Sequence, residues 1–405
     1  MKVLQIVTAY PRAPDDLITP WLVETLKRLG ARGVEAEVLA PAYRGGADQV
    51  VDGIRVHRFR YAPARWEDLT HDQTAPDRVA DRPAYLALLP GYVLAGSRAA
   101  ARLARTGAFD VLHVHWPLPH ALFGLAGRAA GGVPLVCSFY SVELTWVRRK
   151  MPYLKPFLRR VIRTADAVTA ISSSTEAMVR ELYDRPVLRI PFGATIEPEV
   201  PGDPAPWRGG RPFRVLFVGR LVERKGVEHL IAAVARLRAG RDIELHVVGD
   251  GPYRGRLEAA ARESGSAGAV RFHGFVSREE LSRRFAESDV FVLPAVVDAK
   301  GDVEGLGVVL IEALRYGTPV IASAAGGIVD IVRDGETGLL VPPGDEAALA
   351  GAIARLQDDP ALAARLVRGG QAHVEREFAW DEVVGRLVDL YAELAGAGSP
   401  APAER

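Results

Sequence analysis

Strand-like and helical patterns alternate along almost the whole of this 405-residue chain. Short apolar runs of strand length, such as those at 2–10, 110–117 and 213–219, recur with helical patterns between them. This alternation is the signature of βαβ units. Both faces of such a parallel sheet are covered by helices, which is why its strands are continuously apolar. The pattern therefore predicts an α/β protein with doubly wound, Rossmann-like sheets.

The strands fall into two series, separated by the Pro- and Gly-rich stretch PEVPGDPAPWRGGRP. Such a composition is typical of a linker that few packing contacts cross. The chain is also long for a single core, so two domains are expected. The predicted parts are a first domain over 1–197, the linker over 198–212, a second domain over 213–376 and a last helix over 377–396. Ligands of such sheets bind beyond the carboxyl ends of the strands, so two facing domains would form a cleft.

Composition excludes several classes of protein. Hydrophobic residues make up 48% and charged residues 25%, as in ordinary globular proteins. The formal net charge of +1 argues against a general nucleic-acid binder. The one cysteine, Cys137, provides neither a disulfide framework nor a cysteine metal cluster and fits a reducing compartment. The first apolar run is too short for a signal peptide and no run reaches about 18 apolar residues, so the expected location is the cytoplasm.

The turn after the first strand of the second series reads GRLVERKG, residues 219–226. Glycine lets the backbone approach a ligand, and a helix start offers unpaired N–H groups, an arrangement suited to phosphate. Arg220 and Lys225 could clamp a diphosphate, arginine as a planar fork and lysine as a point charge. Ordinary surface cations are the alternative interpretation of this turn alone.

Further along, DVEGLGVVLIEALRYG places Glu304 and Glu312 around an apolar run. If the helix starts near Gly305, Glu304 lies beside its first free N–H groups and Glu312 lies about two turns further along. Both carboxylates could then face one ligand. The alternative is an acid favoured by the helix dipole, followed by a solvated glutamate on the outer face.

Four motifs occur in a characteristic order: GRLVERKG, VVGDGP, FHGFV and EGLGVVLIEALRYGTPVIAS. Their order and spacing resemble the retaining nucleotide-sugar glycosyltransferases of family four, which have the GT-B fold of two Rossmann-like domains facing across a cleft. The resemblance covers nearly the whole chain, including TPWLVETLKRLGARGVEAEVLAP, DVLHVHWPLPHALFGLAGRAAGGVPLV and ADAVTAISSSTEAMV in the first domain. The last helix is similar to the family's cross-over back to the first domain.

The resemblance implies a donor site in the second domain. Its residues would be Gly219, Arg220, Lys225, Phe275, Val276, Glu304, Gly305, Leu306, Gly307 and Glu312. Arg220 and Lys225 would bind the donor diphosphate, and Glu312 would hold the ribose hydroxyls. Glu304 and the N–H groups of residues 305–307 would hold the hexose, and residues 275–276 would lie at the nucleobase. The implied catalytic residues are Arg220, Lys225 and Glu304.

The departing diphosphate gains negative charge, which cations or a bound metal can stabilise. No Asp-x-Asp motif occurs, so we expect fixed cations, no metal, and no cofactor besides the donor substrate. Asp298, Asp302 and Glu304 could chelate Mg²⁺, or they could form a mobile acidic lip. Retention of the anomeric configuration is implied by the resemblance, and a two-step route through an enzyme carboxylate is the rival.

The first domain departs from the family where a histidine often follows the fifth strand. Tyr140 stands there, followed by Glu143. Tyr140 either lines the acceptor pocket or is a strand-end aromatic residue. His115, near the carboxyl end of a strand, is either an acceptor-side residue or a buried structural histidine. His115, Tyr140 and Glu143 are therefore the acceptor-side candidates.

Residues 146–163 contain seven cations and no acid, interleaved with aromatic and leucine residues. This stretch contacts an anionic membrane surface, receives a charged lipid-linked acceptor, or is a solvated helix face. The expected partners are a nucleotide-sugar donor and a hydroxyl acceptor: a sugar, a lipid-linked sugar or a small aglycone. No nucleic-acid partner is expected, and attachment at the inner membrane face would follow from the first alternative.

Two other functions compete with glycosyl transfer in cell-surface glycan or secondary-metabolite synthesis. An NAD-dependent oxidoreductase requires G-x-G-x-x-G after a strand and an acid about twenty residues later. Neither VTAYPRAPDD nor FVGRLVERKG supplies that pattern. A non-catalytic sugar-nucleotide-binding protein on the same fold is the second competitor.

Overall fold

The computed structural model describes residues 1–13, 16, 18–72, 75–198, 202 and 209–398. These residues form two compact units. The first unit contains the described residues up to Ile171, those at 175–190 and those from Val383 onward. The second contains 172–174 and the described residues from Pro191 to Glu382. Each unit is an α/β domain, which confirms the predicted fold class.

The sheet of the first unit has eight strands in the order β3-β4-β2-β1-β5-β6-β7-β8. The strands are β1 (Lys2–Ile6), β2 (Glu35–Pro41), β3 (Gln49–Val51), β4 (Ile54–Phe59), β5 (Val111–His115), β6 (Leu135–Phe139), β7 (Ala167–Ala170) and β8 (Leu188–Arg189). All neighbours are parallel except β3 and β4, which form an antiparallel hairpin. Strand β3 was not predicted, because it is only three residues long and its Val50 points into solvent.

Helices connect these strands as the alternating pattern predicted. They are α1 (Pro20–Ala31), α2 (Ala75–Asp81), α3 (Leu89–Thr106), α4 (Pro117–Gly131), α5 (Val142–Arg149), α6 (Lys155–Thr164) and α7 (Ser173–Leu182). Helix α1 begins at Pro20, whose fixed φ and missing N–H suit the first helical position. Its buried face contains Leu22, Leu26 and Leu29 at helical spacing.

The sheet of the second unit has six parallel strands in the order β11-β10-β9-β12-β13-β14. The strands are β9 (Phe213–Val218), β10 (Ile243–Val248), β11 (Val270–Gly274), β12 (Val290–Leu293), β13 (Val320–Ser323) and β14 (Leu339–Val341). The helices are α8 (Val227–Leu237), α9 (Arg254–Glu263), α10 (Arg278–Glu287), α11 (Val308–Arg315), α12 (Ile328–Ile331), α13 (Glu346–Asp358) and α14 (Pro360–Phe378). The order β10-β9-β12 reverses direction at β9, so β9 is the switch point of a doubly wound sheet, where ligands bind.

The last helix, α15 (Trp380–Gly398), belongs to both units. Its first residue, Trp380, donates from Nε1 to the carbonyl oxygen of Ala194 at 2.7 Å in the second unit. From Val383 the helix is part of the first unit, where the Tyr391 hydroxyl lies 2.5 Å from His113 Nδ1. Within the described residues, no helix is both long and apolar enough to cross a bilayer.

The division between the units lies earlier than the linker predicted over 198–212. Residues 191–197, assigned to the first domain from the sequence, are part of the second unit. Much of the predicted linker lies outside the described residues. Gly202, which is described, donates to the Arg315 carbonyl at 2.8 Å and accepts from Gln371 Nε2 at 2.7 Å. At this point the chain is therefore held against the second unit.

Candidate active site

The loops after β9 and β10 lie in close backbone contact at the carboxyl edge of the second sheet. The Leu221 N–H donates to the Asp250 carbonyl at 2.9 Å. A Cβ on Gly249 would lie 2.1 Å from the Gly219 carbonyl oxygen, and a Cβ on Gly251 would lie 2.3 Å from that of Leu221. Glycine at 249 and 251 is therefore required for this approach. The GDG of VVGDGP fixes the shape of the loop that carries Arg220.

The loop of residues 219–226 ends in a 3₁₀ turn, Glu223–Lys225, that leads into α8. Gly226 closes the turn with φ 63°, and a Cβ there would lie 2.0 Å from the Pro294 carbonyl oxygen. The next loop is attached to the same turn, because the Val296 N–H donates to the Arg224 carbonyl at 2.9 Å. These constraints fix the position of Lys225, whose side chain is only 11% exposed.

Lys225 and Glu304 form an ion pair at the start of α11. Lys225 Nζ lies 2.6 Å from Glu304 Oε2, and 12% of the Glu304 side chain is exposed. The Gly307 N–H also donates to the Glu304 carboxylate. Burial, the largest single effect, raises the pKa of Glu304, but the charges of Lys225 and Arg224 and the hydrogen bonds from Lys225 and Gly307 together hold that pKa below its ordinary value. The sequence prediction that these two residues serve one site is consistent with this distance.

Helix α11 begins at Val308, three residues later than the start near Gly305 used in the sequence argument. Gly307 precedes the helix with φ 89°, a left-handed conformation that cannot belong to a right-handed helix. Glu312 therefore lies little more than one turn into the helix, not two. Glu304 nevertheless lies beside a free N–H of the helix start, as predicted, through Gly307.

Two glycines that the sequence analysis did not select support the turn of Glu304. The Gly327 N–H donates to the Glu304 carbonyl at 3.0 Å. A Cβ on Gly326 would lie 2.0 Å from the same carbonyl oxygen, and a Cβ on Gly327 would lie 2.1 Å from that of Gly305. The sequence signal was the pair of glycines after strand β13, in IASAAGG.

Glu312 is buried, with 6% of its surface exposed. Its Oε1 accepts hydrogen bonds from the Thr195 N–H at 3.1 Å and from Thr195 Oγ1 at 2.6 Å. Burial raises the pKa of Glu312, and the bonds from Thr195 and Ile196 oppose that rise. The alternative of a solvated glutamate on the outer face is therefore wrong. Thr195 is a polar partner that the sequence did not reveal, because it is 117 residues away in the chain.

The remaining donor-side candidates differ in exposure. The Arg220 side chain is in solvent and makes no ion pair with any residue that the structure describes. Phe275 is 86% exposed, an uncommon state for an aromatic ring, and Val276 is half-buried. Leu306 is buried and anchors the turn between Glu304 and Gly307. Asp298 accepts from the Asp302 N–H at 2.8 Å, which closes a local turn in the acidic segment.

The acceptor-side candidates meet at the carboxyl ends of β5 and β6 in the first unit. His115 Nδ1 lies 2.5 Å from the Tyr140 hydroxyl, and His115 Nε2 lies 2.8 Å from Gln5 Oε1. Burial lowers the pKa of His115 well below its ordinary value, so the ring is neutral. The Tyr140 N–H donates to Glu143 Oε1 at 2.8 Å, and burial raises the pKa of Glu143 to about 7. The structure therefore brings all three candidates together.

Two tryptophans that the sequence analysis did not select surround Tyr140. The ring centroids of Trp21 and Trp116 lie 5.4 and 4.6 Å from that of Tyr140. Both tryptophans are half-buried, and Trp116 has a positive φ of 51°. A bulky residue in this conformation is strained, and such strain persists where the surroundings impose it. The sequence feature that could have indicated this site is the tryptophan directly after the strand residues HVH.

The other histidines of the HVHWPLPH segment have structural partners. His113 bonds to Ser138 Oγ at 2.6 Å and to Tyr391, and its ring stacks on that of His115 at 4.2 Å. His120 Nε2 lies 2.8 Å from the Tyr92 hydroxyl. Among the residues that the structure describes, no group of three or more histidine, cysteine or acidic side chains is arranged to hold a metal ion.

Comparison with known proteins identifies the class. Residues 207–373 match the family model described as glycosyl transferases group 1, and residues 21–198 match the model of glycosyltransferase family 4. A GDP-mannose-dependent alpha-(1-6)-phosphatidylinositol monomannoside mannosyltransferase of Mycolicibacterium smegmatis is 32% identical over 86% of this chain and 95% of its own. A D-inositol 3-phosphate glycosyltransferase of Acidothermus cellulolyticus is 32% identical over 95% of this chain and 87% of its own.

Among solved structures, sucrose-phosphate synthase from Thermosynechococcus elongatus matches with a TM-score of 0.74 and 25% identity. The match covers 98% of this chain and 99% of that one. Fold and matched residues thus define a GT-B nucleotide-sugar glycosyltransferase. The chain belongs to glycosyltransferase family four.

Proposed function

We propose that this glycosyltransferase is a retaining, metal-independent hexosyltransferase that moves a sugar from a nucleoside-diphosphate sugar to a hydroxyl acceptor. Its products would be cell-surface glycans or secondary-metabolite glycosides. The observation that carries the proposal is the ion pair of Lys225 and Glu304, with Nζ and Oε2 2.6 Å apart. A buried cation and a buried acid are thereby held together at a helix start beside the switch point of the sheet.

The proposed role of Lys225 follows from the charge of the leaving group. When the bond between the anomeric carbon and the diphosphate breaks, negative charge grows on the diphosphate oxygens. A fixed cation in a site with little water stabilises that charge more strongly than it would in bulk water. Arg220, free of ion pairs with the described residues, is available as a second, planar partner of the phosphates.

Glu304 takes part in an exchange of partners. Without donor, its carboxylate balances the charge of Lys225. A bound diphosphate would share that charge and leave a carboxylate oxygen able to accept a hydrogen bond from a hexose hydroxyl. Glu312 would hold the ribose through the carboxylate that now accepts from Thr195.

Retention is proposed to follow from attack on the face that the diphosphate leaves. The acceptor oxygen forms the new bond to the anomeric carbon, and its proton passes to an oxygen of the departing diphosphate. Proton NMR of the first product formed tests this step: the anomer of the donor is expected. Trapping a covalent glycosyl-enzyme adduct on a carboxylate would contradict the single-step route.

The acceptor is proposed to carry a phosphate group, as in an inositol phosphate or a phosphorylated lipid. Two relatives support this class, since their names specify phosphatidylinositol monomannoside and D-inositol 3-phosphate. The GDP-mannose-dependent relative makes GDP-mannose the first donor to test. Within the first unit, His115, Tyr140 and Glu143 would contact the acceptor.

The cationic segment 146–163 supports a membrane-bound acceptor. Helices α5, α6 and α7 surround a cavity of about 320 Å³. Its lining contains three cations, Arg148, Lys155 and Arg159, one acid, Glu181, and apolar residues that include Leu144 and Leu182. No acid lies in the first turn of α6, so the positive end of its dipole adds to these charges. Tyr153, 73% exposed beside them, suits the headgroup level of a bilayer.

The donor experiment is a thermal-shift screen with UDP, GDP, ADP and dTDP and their sugars. A ligand that binds only the folded chain raises the melting temperature, so the largest shift identifies the base. Hydrolysis of the matching sugar nucleotide in excess EDTA then tests the metal-independent transfer. Release of nucleotide is expected. Binding without any release would instead support a sensor, and loss of release with EDTA would contradict metal independence.

The membrane experiment is co-sedimentation with anionic phospholipid vesicles at low salt. We expect the chain to sediment with them and to be released by Arg148→Gln combined with Arg159→Gln, because each basic residue near the surface contributes about 1 kcal/mol. The matched control is Arg102→Gln with Arg105→Gln, which removes two exposed cations from α3. No sedimentation at low salt, or equal release by both pairs, would contradict membrane contact through this segment.

A further inference from the structure

A second cavity lies in the second unit, between the face of the sheet and α10. It encloses about 260 Å³, several times the ~30 Å³ share of one water molecule. Its lining residues come from three neighbouring strands and from α10 with the residue after it: Arg214, His246, Arg271, His273, Arg283, Arg284, Glu287 and Ser288. A lining with four arginines and two histidines is unusual in a protein whose net charge is only +1.

The Arg214 end of the cavity is separate from the diphosphate residues of the same sheet, whereas His246 and His273 lie further along β10 and β11. Arg214 is the second residue of β9 and Ser288 comes just before β12, so both lie at the amino ends of their strands. Gly219 and Arg220 instead follow the carboxyl end of β9. Six strand residues at about 3.3 Å each separate the two edges. A ligand among these arginines would therefore not occupy the diphosphate position.

The carboxylates around the cavity are shared between cations. Glu280 pairs with Arg283 at 2.6 Å and with Arg284 at 2.7 Å. Glu287 pairs with Arg283 at 3.0 Å and with Arg214 at 3.4 Å. Three acids, counting Glu244, thus face four guanidinium groups, each of which has five N–H donors. The buried Nε of Arg284 has no hydrogen-bond partner among the described residues. Some N–H groups of these arginines therefore remain available to donate hydrogen bonds to a bound anion.

The two histidines that line the cavity are arranged around the same guanidinium. Arg284 Nη1 lies 3.0 Å from both His246 Nδ1 and His273 Nε2. Because Nη1 donates to both atoms, each must be a lone pair, and both imidazoles are neutral. The rings stack at 5.2 Å, and the other nitrogen of His246, Nε2, lies 3.2 Å from Glu244. Burial lowers the pKa of both histidines, that of His273 to about 4.

We propose that this cavity is a second anion site, which binds the phosphate group of a phosphate monoester between Arg214, Arg271, Arg283 and Arg284. The organic part of the ligand would fill the remaining volume above the two imidazoles. A bound phosphate would draw the Arg284 guanidinium away from the two imidazoles, whose freed nitrogens can then take up protons, so the affinity for phosphate rises as the pH falls. This site goes beyond the proposed function and does not depend on it.

The test uses inorganic phosphate and sulfate as probes, measured by titration calorimetry on the full chain. Sulfate is a dianion throughout the pH range of the experiment, so any change of its affinity with pH comes from groups of the protein. Arg220→Ala combined with Lys225→Ala removes the diphosphate position and is expected to leave probe binding at the cavity. Arg271→Gln combined with Arg283→Gln removes two rim cations that are each more than half exposed, so the fold should be kept.

The Arg271→Gln, Arg283→Gln variant is expected to bind both probes about tenfold more weakly or worse, because charged hydrogen bonds are lost. The single-charge control Arg365→Gln, on the exposed face of α14, is expected to change the affinity for the probes less than twofold. Equal affinity of the Arg271→Gln, Arg283→Gln variant and the wild type for the probes would overturn the proposed site. Loss of all binding in the Arg220→Ala, Lys225→Ala variant would also overturn it, since the probe would then occupy only the donor position.

The second arm compares sulfate affinity at about pH 6 and about pH 8. Tighter binding at the lower pH is expected in the wild type, and His246→Gln with His273→Gln is expected to abolish the difference. The other charged groups facing the histidines are the four arginines, Glu287, and Glu244 and Glu280, whose pKa values are lowered by hydrogen bonds from Arg271 and Arg283. An equal pH dependence in the histidine variant would contradict the arrangement proposed here.

Discussion

At the scale of single residues, the pair of Lys225 and Glu304 carries the proposed chemistry. Each side chain is about nine-tenths buried, and burial of charge is costly unless the charge is paired. The charge of Lys225 helps to hold the pKa of Glu304 below its ordinary value although burial raises it, so the carboxylate stays ionised. A donor diphosphate enters a site in which a cation is already fixed and largely stripped of water.

Lys225→Ala should reduce turnover about 10²-fold or more, because one fixed cation that stabilises the leaving group is lost. The measurement is kcat/KM with the donor that the thermal screen identifies. Arg236→Ala, which removes an exposed cation from the neighbouring helix α8, is the control and should retain activity. Equal kcat/KM in wild type and Lys225→Ala would contradict the role of the lysine.

A second residue-scale prediction concerns Glu143 and pH. Its pKa is raised from 4.5 to about 7 by burial, so the unfolded chain loses this proton before the folded chain does. The free energy of unfolding therefore falls as the pH rises from about 4.5 to about 7 and stays lowered above that. Glu143→Gln cannot ionise and should escape the loss, which is at most a few kcal/mol.

Urea unfolding of wild type and Glu143→Gln at about pH 5 and about pH 8 measures this effect. The free energy of unfolding of Glu143→Gln should increase relative to that of wild type at the higher pH. Any constant offset from the new amide cancels in that comparison. Parallel pH profiles would show that Glu143 is ionised in the folded state.

The sequence predicted the charged residues of the donor site but not all of the residues that form hydrogen bonds with them. The family's motifs hold the charged site residues at fixed spacing in the sequence, which is why they predicted Arg220, Lys225, Glu304 and Glu312. Thr195 was not predicted, since it meets Glu312 only after the chain has folded. The cavity at Arg284 was missed for the same reason: its residues are scattered over three strands and a helix, with no local pattern.

At the scale of elements, strands and most helices were predictable because apolar runs and caps are local. The predicted strand runs at 2–10, 110–117 and 213–219 contain β1, β5 and β9, and β3 is a strand that was not predicted. The start of α11 was not predictable from apolar periodicity, because the left-handed Gly307 interrupts an apolar run without changing its composition. Glycine positions therefore decide where this element begins.

Gly226→Ala should destabilise the second unit and displace Lys225. Its φ of 63° and a Cβ 2.0 Å from the Pro294 carbonyl leave no room for a methyl group. Thermal unfolding and donor affinity should both fall. Gly351→Ala, in the middle of α13 with no atom within 4 Å of the new Cβ, is the matched control and should add about 0.5–1 kcal/mol of stability. Unchanged donor affinity in Gly226→Ala would contradict the turn's role.

At the scale of the whole molecule, α15 joins the two units through the chain itself. Its Tyr391 completes a row of buried polar groups across the first sheet, from Gln5 and His113 to Ser138 and Thr169. Buried polar groups need partners, so this row depends on the last helix. The resemblance implied a last helix that crosses back to the first domain, but the hydrogen bonds of Tyr391 within it were found only in the structure.

Tyr391→Phe should cost about 1–3 kcal/mol, because the hydroxyl is removed from His113 and Gln5 while both remain buried. Chemical denaturation measures the change. Tyr153→Phe, at a side chain 73% exposed, is the control and should stay within about 0.5 kcal/mol of wild type. Equal stability of the two variants would mean that the docking of α15 is apolar alone.

The proposed activity requires that a nucleoside diphosphate binds at Lys225. Titration calorimetry of the nucleoside diphosphate with the largest thermal shift, into wild type, Lys225→Ala and Arg236→Ala, tests it most directly. The nucleotide should bind wild type and Arg236→Ala with the same affinity and should bind Lys225→Ala about tenfold more weakly or worse. Equal affinity for all three proteins, or no binding of any nucleotide to wild type, would contradict it.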